Sequence, residues 1–149
     1  MMRAMTTLIL TASVAVCFVG CSGNGNTPPL GEVSGHVTLN GAPLDGATVE
    51  FDPENGRPSI GVTDADGNYT LQFRAGASGA LVGKHSVRIR SQRSASGGEG
   101  SEAAVAARSE TVPSEYNDDT NLSAEVKSGS NTFDFNLEGK RSKRAAAGA

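Results

Sequence analysis

The chain of 149 residues contains no tryptophan, only 5% aromatic residues and only two cysteines. A domain with so few aromatic side chains must have a modest core, built mainly from Val, Leu, Ile and Phe. The sequence also lacks an apolar run of about 20 residues, the length that a helix needs to span a bilayer. These absences argue against a disulfide-rich scaffold and a helical membrane span, and the length suits one small domain.

Positive charge is also scarce, because 13 Lys and Arg stand against 16 Asp and Glu. If residues 1–20 are removed, Arg3 is lost with them and 12 basic residues remain. Nucleic-acid binding requires clustered Lys and Arg on the folded domain. A nucleic-acid partner is therefore not predicted.

The N-terminus carries the most informative signal. Residues 8–19 form an apolar stretch after Arg3, and its length suits the h-region of a signal peptide. Gly20 and Cys21 follow, and they resemble the site at which lipoprotein signal peptidase cuts before a cysteine that receives lipid. We therefore expect a lipoprotein signal peptide over residues 1–20 and lipidation of Cys21. An ordinary signal peptide cut elsewhere and a short uncleaved anchor are the alternatives.

Lipidation would decide both the cysteine chemistry and the location. Cys17 would leave with the signal peptide, so the mature chain would have no disulfide, no thiol nucleophile and no cysteine-ligated metal. By resemblance to bacterial lipoproteins, Ser22 after the lipidated residue implies the outer membrane. The predicted location is the cell envelope, lipid-anchored at the outer membrane and facing the periplasm or the surface.

Composition divides the rest of the chain. Residues 21–32, rich in Gly, Asn and Pro, predict a flexible linker, and residues 139–149 predict a disordered basic tail. Residues 33–138 form the expected domain. Within it, residues 91–112 have no convincing period and predict a mobile loop, with a marginal helix near residues 103–108.

Alternation with period two marks seven short strands in this domain. The residues that mark these strands are Val33, Val37 and Leu39; Ala47, Val49 and Phe51; Ile60 and Val62; Tyr69, Leu71 and Phe73; His85, Val87 and Ile89; Leu122, Ala124 and Val126; Phe133, Phe135 and Leu137. Alternation of this kind implies antiparallel strands with one solvated face. The predicted fold class is all-β, a seven-stranded antiparallel β-sandwich.

Two segments carry a resemblance to a known family. Residues 33–49, VSGHVTLNGAPLDGATV, resemble the opening hairpin of carboxypeptidase regulatory-like domains, and residues 61–71, GVTDADGNYTL, resemble their second signature. Residues 113–117 and 122–126 are similar to the end of a subgroup of small lipoproteins of the planctomycete type. The resemblance covers roughly residues 33–137 and implies a transthyretin-like sandwich at the cell surface. It implies no activity, because the family's domain is a non-catalytic accessory.

Asp64, Asp66 and Asn68 alternate in the manner of calcium ligands. An EF-hand loop, however, needs Gly at its sixth position, whereas Gly67 stands at the fourth. Asp and Asn also serve hairpin turns by accepting bonds from nearby backbone amides. We predict the turn and no cofactor, and a Ca²⁺ site is the alternative. The neighbouring acidic pair Asp118 and Asp119 would add oxygens only if its loop lay close.

Catalytic signals are missing from the sequence. His36 lies on the polar face of its strand, which predicts a solvated side chain, whereas His85 is in phase with Val87 at the edge of the core. No H-x-x-E or G-x-S-x-G pattern occurs, so neither a zinc peptidase nor a serine hydrolase is predicted. Sugar-binding sandwiches stack their ligands on exposed aromatics, and the aromatic expected to be free is Tyr116 alone.

The predicted function is that of a lipid-anchored, non-catalytic β-sandwich of the cell envelope with a structural or protein-interaction role. Its partners would be the membrane, through the N-terminal lipid, and an envelope protein. The alternative is a ligand-binding module for Ca²⁺ or envelope glycan. A transthyretin-like hydrolase is a remote alternative, because His36 and Val37 echo one motif of that enzyme but its C-terminal motif is missing.

Overall fold

A computed structural model describes residues 28–97 and 104–139. The predicted signal peptide, Cys21, most of the linker and all of the basic tail except Gly139 lie outside these ranges. The described elements are one short 3-10 helix, Ser114–Tyr116, and twelve strands. In chain order the strands are β1 (Leu30–Leu39), β2 (Ala42–Pro43), β3 (Thr48–Pro53), β4 (Ser59–Val62), β5 (Asn68–Thr70), β6 (Gln72–Arg74), β7 (Ala77–Ser78), β8 (Ala80–Leu81), β9 (Gly83–Arg90), β10 (Ser123–Val126), β11 (Gly129–Thr132) and β12 (Phe135–Leu137).

The all-β prediction is confirmed, and the strands form two sheets. In the first sheet β1 is central, with β8, β5 and β2 antiparallel along one edge and β11 and β12 along the other. The second sheet has the order β10-β9-β3-β4-β6-β7 and is antiparallel throughout. Over the described ranges, no helix combines the length and apolar character needed to cross a bilayer.

The prediction of a purely antiparallel fold is wrong at one edge of the first sheet. There β11 and β12 run parallel to β1, in a register that pairs Gly31 with Gly129 and Leu39 with Leu137. A Cβ at Gly35 would overlap the carbonyl of Phe133, so only glycine permits this approach. Alternation reports which face of a strand is buried and says nothing about the direction of its neighbour.

The end of the chain also departs from the predicted order. The strands expected around Ala124 and Phe135, joined through residues 128–130, belong to different sheets, because β10 pairs with β9 whereas β11 and β12 pair with β1. The predicted strands are also divided differently, since twelve separate strands occur in the described ranges. The first strand begins at Leu30, inside the predicted linker.

One hydrophobic core receives side chains from both sheets. Val33, Val37 and Tyr69 enter it from the first sheet, and Phe51 and Val87 enter it from the second. Full burial of such a side chain contributes about 1.5–3 kcal/mol. These residues confirm the predicted inward faces of their strands.

Strand β4 is the exception to the inward pattern. Ile60 and Val62, which alternation grouped as the apolar face of this strand, are exposed, while Ser59 and Gly61 are buried. A Cβ at Gly61 would lie 2.7 Å from the carbonyl oxygen of Thr70, so the chain packs too closely here for a larger inward side chain. The apolar side chains of β4 therefore face outward.

The described ends of the predicted loop 91–112 are paired with each other. Arg93 pairs with Arg108, and Ser96 pairs with Val105, both antiparallel. The helix predicted near residues 103–108 is therefore wrong for residues 104–108, which are extended. Arg108 also fastens this segment to the sheets, because its guanidinium donates to the carbonyls of Asp45 at 2.7 Å, Gly46 at 3.0 Å and Ser91 at 2.7 Å.

Candidate functional site

The predicted calcium ligands form a hairpin turn. Asp64 Oδ1 accepts the backbone N–H of Asp66 at 3.0 Å and of Asn68 at 2.8 Å. Within the turn, the Gly67 N–H donates to the Asp64 carbonyl at 2.9 Å. The N–H bond from Asn68 is the first cause that keeps the pKa of Asp64 below its ordinary value. The geometry is that of the turn predicted from the sequence, with the carboxylate directed at the chain's own amides.

Asp118, one of the second acidic pair, is engaged elsewhere. Asp118 Oδ1 accepts a bond from Arg90 Nη2 at 2.8 Å. In residues 28–97 and 104–139, no three His, Cys, Asp or Glu side chains approach closely enough to hold a metal ion. The structure thus gives Asp64, Asp66 and Asn68 no further acidic ligand from the Asp118 loop.

The two histidines bind backbone carbonyls. His36 is half-buried, and its Nε2 donates to the carbonyl of Asp66 at 2.7 Å, so it is not the freely solvated side chain that was predicted. His85 is buried at the edge of the core as predicted, where its Nε2 donates to the Leu81 carbonyl at 2.7 Å and its ring packs 5.7 Å from that of Phe51. Both rings hold one segment of the fold against another.

The aromatic side chains pack inward. Phe51, Tyr69 and Phe73 are buried, and burial raises the pKa of Tyr69, whose hydroxyl donates to the Phe133 carbonyl at 2.7 Å. Tyr116 was expected to be free, and this prediction is wrong, because the side chain packs partly buried against the core. In the described part of the chain, the aromatic platform that a sugar would need is therefore not formed.

A carboxylate that sequence reasoning overlooked organises the base of the 91–112 segment. Glu110 Oε1 accepts bonds from Ser91 N at 3.0 Å, Ser91 Oγ at 2.6 Å, Thr111 N at 2.9 Å and Val112 N at 2.8 Å. Desolvation opposes its ionisation, but these hydrogen bonds outweigh it and lower the pKa of Glu110. A lone glutamate in a polar stretch gives no sequence signal for such a role.

The outer face of the second sheet combines exposed apolar and charged side chains. Ile60 and Val62 are 44% and 61% exposed on β4. Glu50 lies opposite Ile60 on β3, and Arg88 lies opposite Glu50 on β9. We call this set, Ile60, Val62, Glu50, Arg88 and Arg90, the outer patch.

Ion pairs order the charged half of the outer patch. Arg88 Nη1 lies 3.1 Å from Glu50 Oε1 and 3.0 Å from Asp52 Oδ2. Arg90 binds Asp118 from the same face. Pairs shared between neighbouring strands fix the positions of these long side chains and leave the two apolar residues beside them open to contact.

Beside the outer patch, a groove of about 500 Å³ crosses the ends of β3, β9 and β10. Most of the residues that line it are polar, among them Asp52, Lys84, Ser86, Asn121 and Ser123. Comparison with protein-family models gives no match to the chain, and comparison with curated proteins gives no significant match. The surface itself must therefore carry the functional argument.

Proposed function

We propose that this chain is a lipid-anchored, non-catalytic module of the cell envelope that binds another envelope protein through the outer patch. The observation that carries the proposal is the exposure of Ile60 and Val62 on a sheet face whose neighbouring charges are ordered by ion pairs. Apolar side chains that a strand directs outward gain free energy when a partner removes them from water. Arginine is enriched in protein interfaces.

The fold is proposed to be a transthyretin-like β-sandwich of the carboxypeptidase regulatory-like kind. Two local features support this. The short pairing of β1 with β2 encloses Asn40 and Gly41, both with positive φ, as a tight hairpin requires. The turn at Asp64 leads directly into β5, where Tyr69 is buried.

The ligand-binding alternative has less support. Asp64 Oδ1 already accepts two backbone bonds, which a Ca²⁺ ion would have to displace or share. The turn also gains from these bonds without any ion. We therefore place the interaction role first.

Photo-crosslinking from native membranes tests the interaction role. A photoreactive residue at Val62 should yield one discrete adduct with another envelope protein, because this position is more exposed than Ile60, Val82 or Val105. Val105, 40% exposed on the 91–112 segment, is the matched control and should yield no such adduct. Equal labelling at both positions, or recovery of the chain alone, would count against the outer patch.

A substitution then separates contact from folding. Ile60→Ser with Val62→Ser should abolish capture of the partner when the variant is present at the same amount as the wild type. The thermal midpoint of the variant should stay nearly unchanged. Both residues are exposed, so little burial is lost within the domain itself. Full capture by the double variant would refute the assignment of the surface.

The anchor is tested independently. Cys21→Ser removes the thiol that would carry lipid and should accumulate the unprocessed precursor. Normal processing and retention at the membrane in this variant would refute lipidation of Cys21. The control is Cys17→Ser, which should be processed as the wild type because Cys17 leaves with the predicted signal peptide.

A further inference from the structure

Asparagine directly followed by glycine occurs three times in the chain. The pairs are residues 24–25, 40–41 and 55–56, and the second and third lie in the described residues. In such a pair the glycine nitrogen can attack the side-chain amide of the asparagine, because no Cβ on the glycine hinders the approach. The two described pairs have the same local sequence, and the fold holds them differently.

Asn55 and Gly56 lie in the loop between β3 and β4, and both are exposed. Neither the Asn55 side-chain amide nor the Gly56 N–H makes a hydrogen bond with a described residue. Gly56 has a φ of 122°, a conformation that other residues rarely adopt, so the loop itself favours glycine at this position. The reacting amide and the attacking nitrogen are therefore both free of competing contacts.

Asn40 and Gly41 form the tight turn between β1 and β2. Their φ values are 55° and 81°, as such a turn requires. Asn40 Oδ1 accepts the N–H of Gly139 at 3.0 Å, and the Asn40 N–H donates to the Leu137 carbonyl at 2.8 Å. The side chain is thus directed at the end of β12, and it must leave this contact before it can close a ring on Gly41.

We propose that Asn55 is a site of spontaneous deamidation and that the fold protects Asn40 from the same reaction. The Gly56 nitrogen loses its proton to hydroxide and attacks Cγ of Asn55. The bond from Cγ to the side-chain nitrogen breaks, ammonia leaves with a proton taken from water, and a succinimide ring remains. Water then opens the ring at either carbonyl, and the Gly56 nitrogen regains a proton. Attack at the side-chain carbonyl gives aspartate, whereas attack at the main-chain carbonyl gives isoaspartate.

The reaction changes a groove of about 290 Å³ beside the loop. Asn55 lines this groove together with Leu81, and its charged lining residues are Glu54 and Lys84. A carboxylate at position 55 gives these side chains a net negative charge. Isoaspartate also lengthens the main chain next to Gly56, where even a Cβ would lie 2.6 Å from Leu81 Cδ1. The aspartate product therefore changes the charge of the groove, and the isoaspartate product also disturbs the packing on Leu81.

Peptide mapping of the aged full chain tests the proposal. The folded protein is kept in mildly alkaline buffer, and cleavage after Glu32, Glu50 and Glu54 places the three Asn-Gly pairs in different peptides. The peptide that begins at Asn55 should gain the mass of deamidation with time and separate into aspartyl and isoaspartyl forms. The peptide of residues 33–50 should react more slowly by at least about fivefold, the factor to which one ordinary hydrogen bond corresponds. Absence of the mass gain at Asn55, or equal rates in the two peptides, would overturn the proposal.

The protein unfolded in guanidinium chloride supplies the matched comparison. Unfolding removes both the turn and the contact with Gly139, so Asn40 should then react about as fast as Asn55. If Asn40 stays slow in the unfolded chain, the neighbouring sequence explains the difference, and protection by the fold is refuted.

The variant Asn55→Gln tests the chemical step. It keeps an amide at the exposed position but lengthens the side chain by one carbon, so the five-membered ring can no longer form. The mass gain at position 55 should disappear, and the thermal midpoint should stay nearly unchanged because Asn55 makes no hydrogen bond with a described residue. Deamidation of this variant at the rate of the wild type would show direct hydrolysis and refute attack by the Gly56 nitrogen.

Discussion

Glu110→Gln is the sharpest test of how the 91–112 segment is held. Glu110 Oε1 accepts four bonds from Ser91, Thr111 and Val112, and the Ser91 side chain is fully buried. A buried hydrogen bond to a charged group is worth about 1.5–3 kcal/mol. Glu110 is only half-buried, so solvent screening reduces the sum to about 2 kcal/mol for Glu110→Ala and about 1 kcal/mol for Glu110→Gln.

Urea unfolding and thermal melts measure these losses. For a domain of this size, about 1 kcal/mol corresponds to a fall of about 4 °C in Tm. Glu115→Gln is the matched control, because Glu115 lies exposed in the 3-10 helix, and it should change the free energy of unfolding very little.

The pH dependence of the free energy of unfolding gives a second test of this role. The folded pKa of Glu110 is lowered from 4.5, so its contribution is fully present above pH 4.5 and is lost as the pH falls through the lowered value. The gap between wild type and Glu110→Gln should therefore close in acid. A gap that is constant with pH, or equal losses for Glu110→Gln and Glu115→Gln, would refute the assigned role.

Two further predictions concern the turns. Gly67→Ala should destabilise the domain more than Gly41→Ala in urea unfolding. Both glycines have φ near +80°, so the left-handed backbone alone costs about 1–2 kcal/mol in each variant, but only a Cβ at Gly67 meets another atom, Val37 O at 2.5 Å. Equal losses in the two variants would contradict this close approach. Asp64→Ala should lower Tm more than Asp66→Ala, because the Asp64 carboxylate accepts the turn amides. Millimolar Ca²⁺ should leave the Tm of the wild type unchanged, and a rise in Tm that Asp64→Ala abolishes would establish the calcium alternative instead.

Much of the candidate-site chemistry was predictable from local sequence. The interval between Asp64 and Asn68 contains Gly67, and a side chain that bonds its own turn needs no distant partner, so the pattern alone indicates the geometry. The outer patch was not predictable. Ile60 and Val62 follow the period of a strand, but their phase depends on how closely Gly61 approaches Thr70 across the sheet. Glu110 was missed because its role depends on Ser91, which lies 19 positions away in the chain.

The sequence by itself determined that this domain is all-β and that residues such as Val49, Phe51, Val87 and Ile89 lie inward. Side chains alternate across a strand whatever its neighbours are, and the burial of one face selects the phase. Only the tertiary structure decided that the last strands run parallel to β1, and hence that the described chain starts and ends at opposite ends of the first sheet. Strand direction depends on contacts between Leu39 and Leu137, far apart in the chain, and no local pattern encodes them.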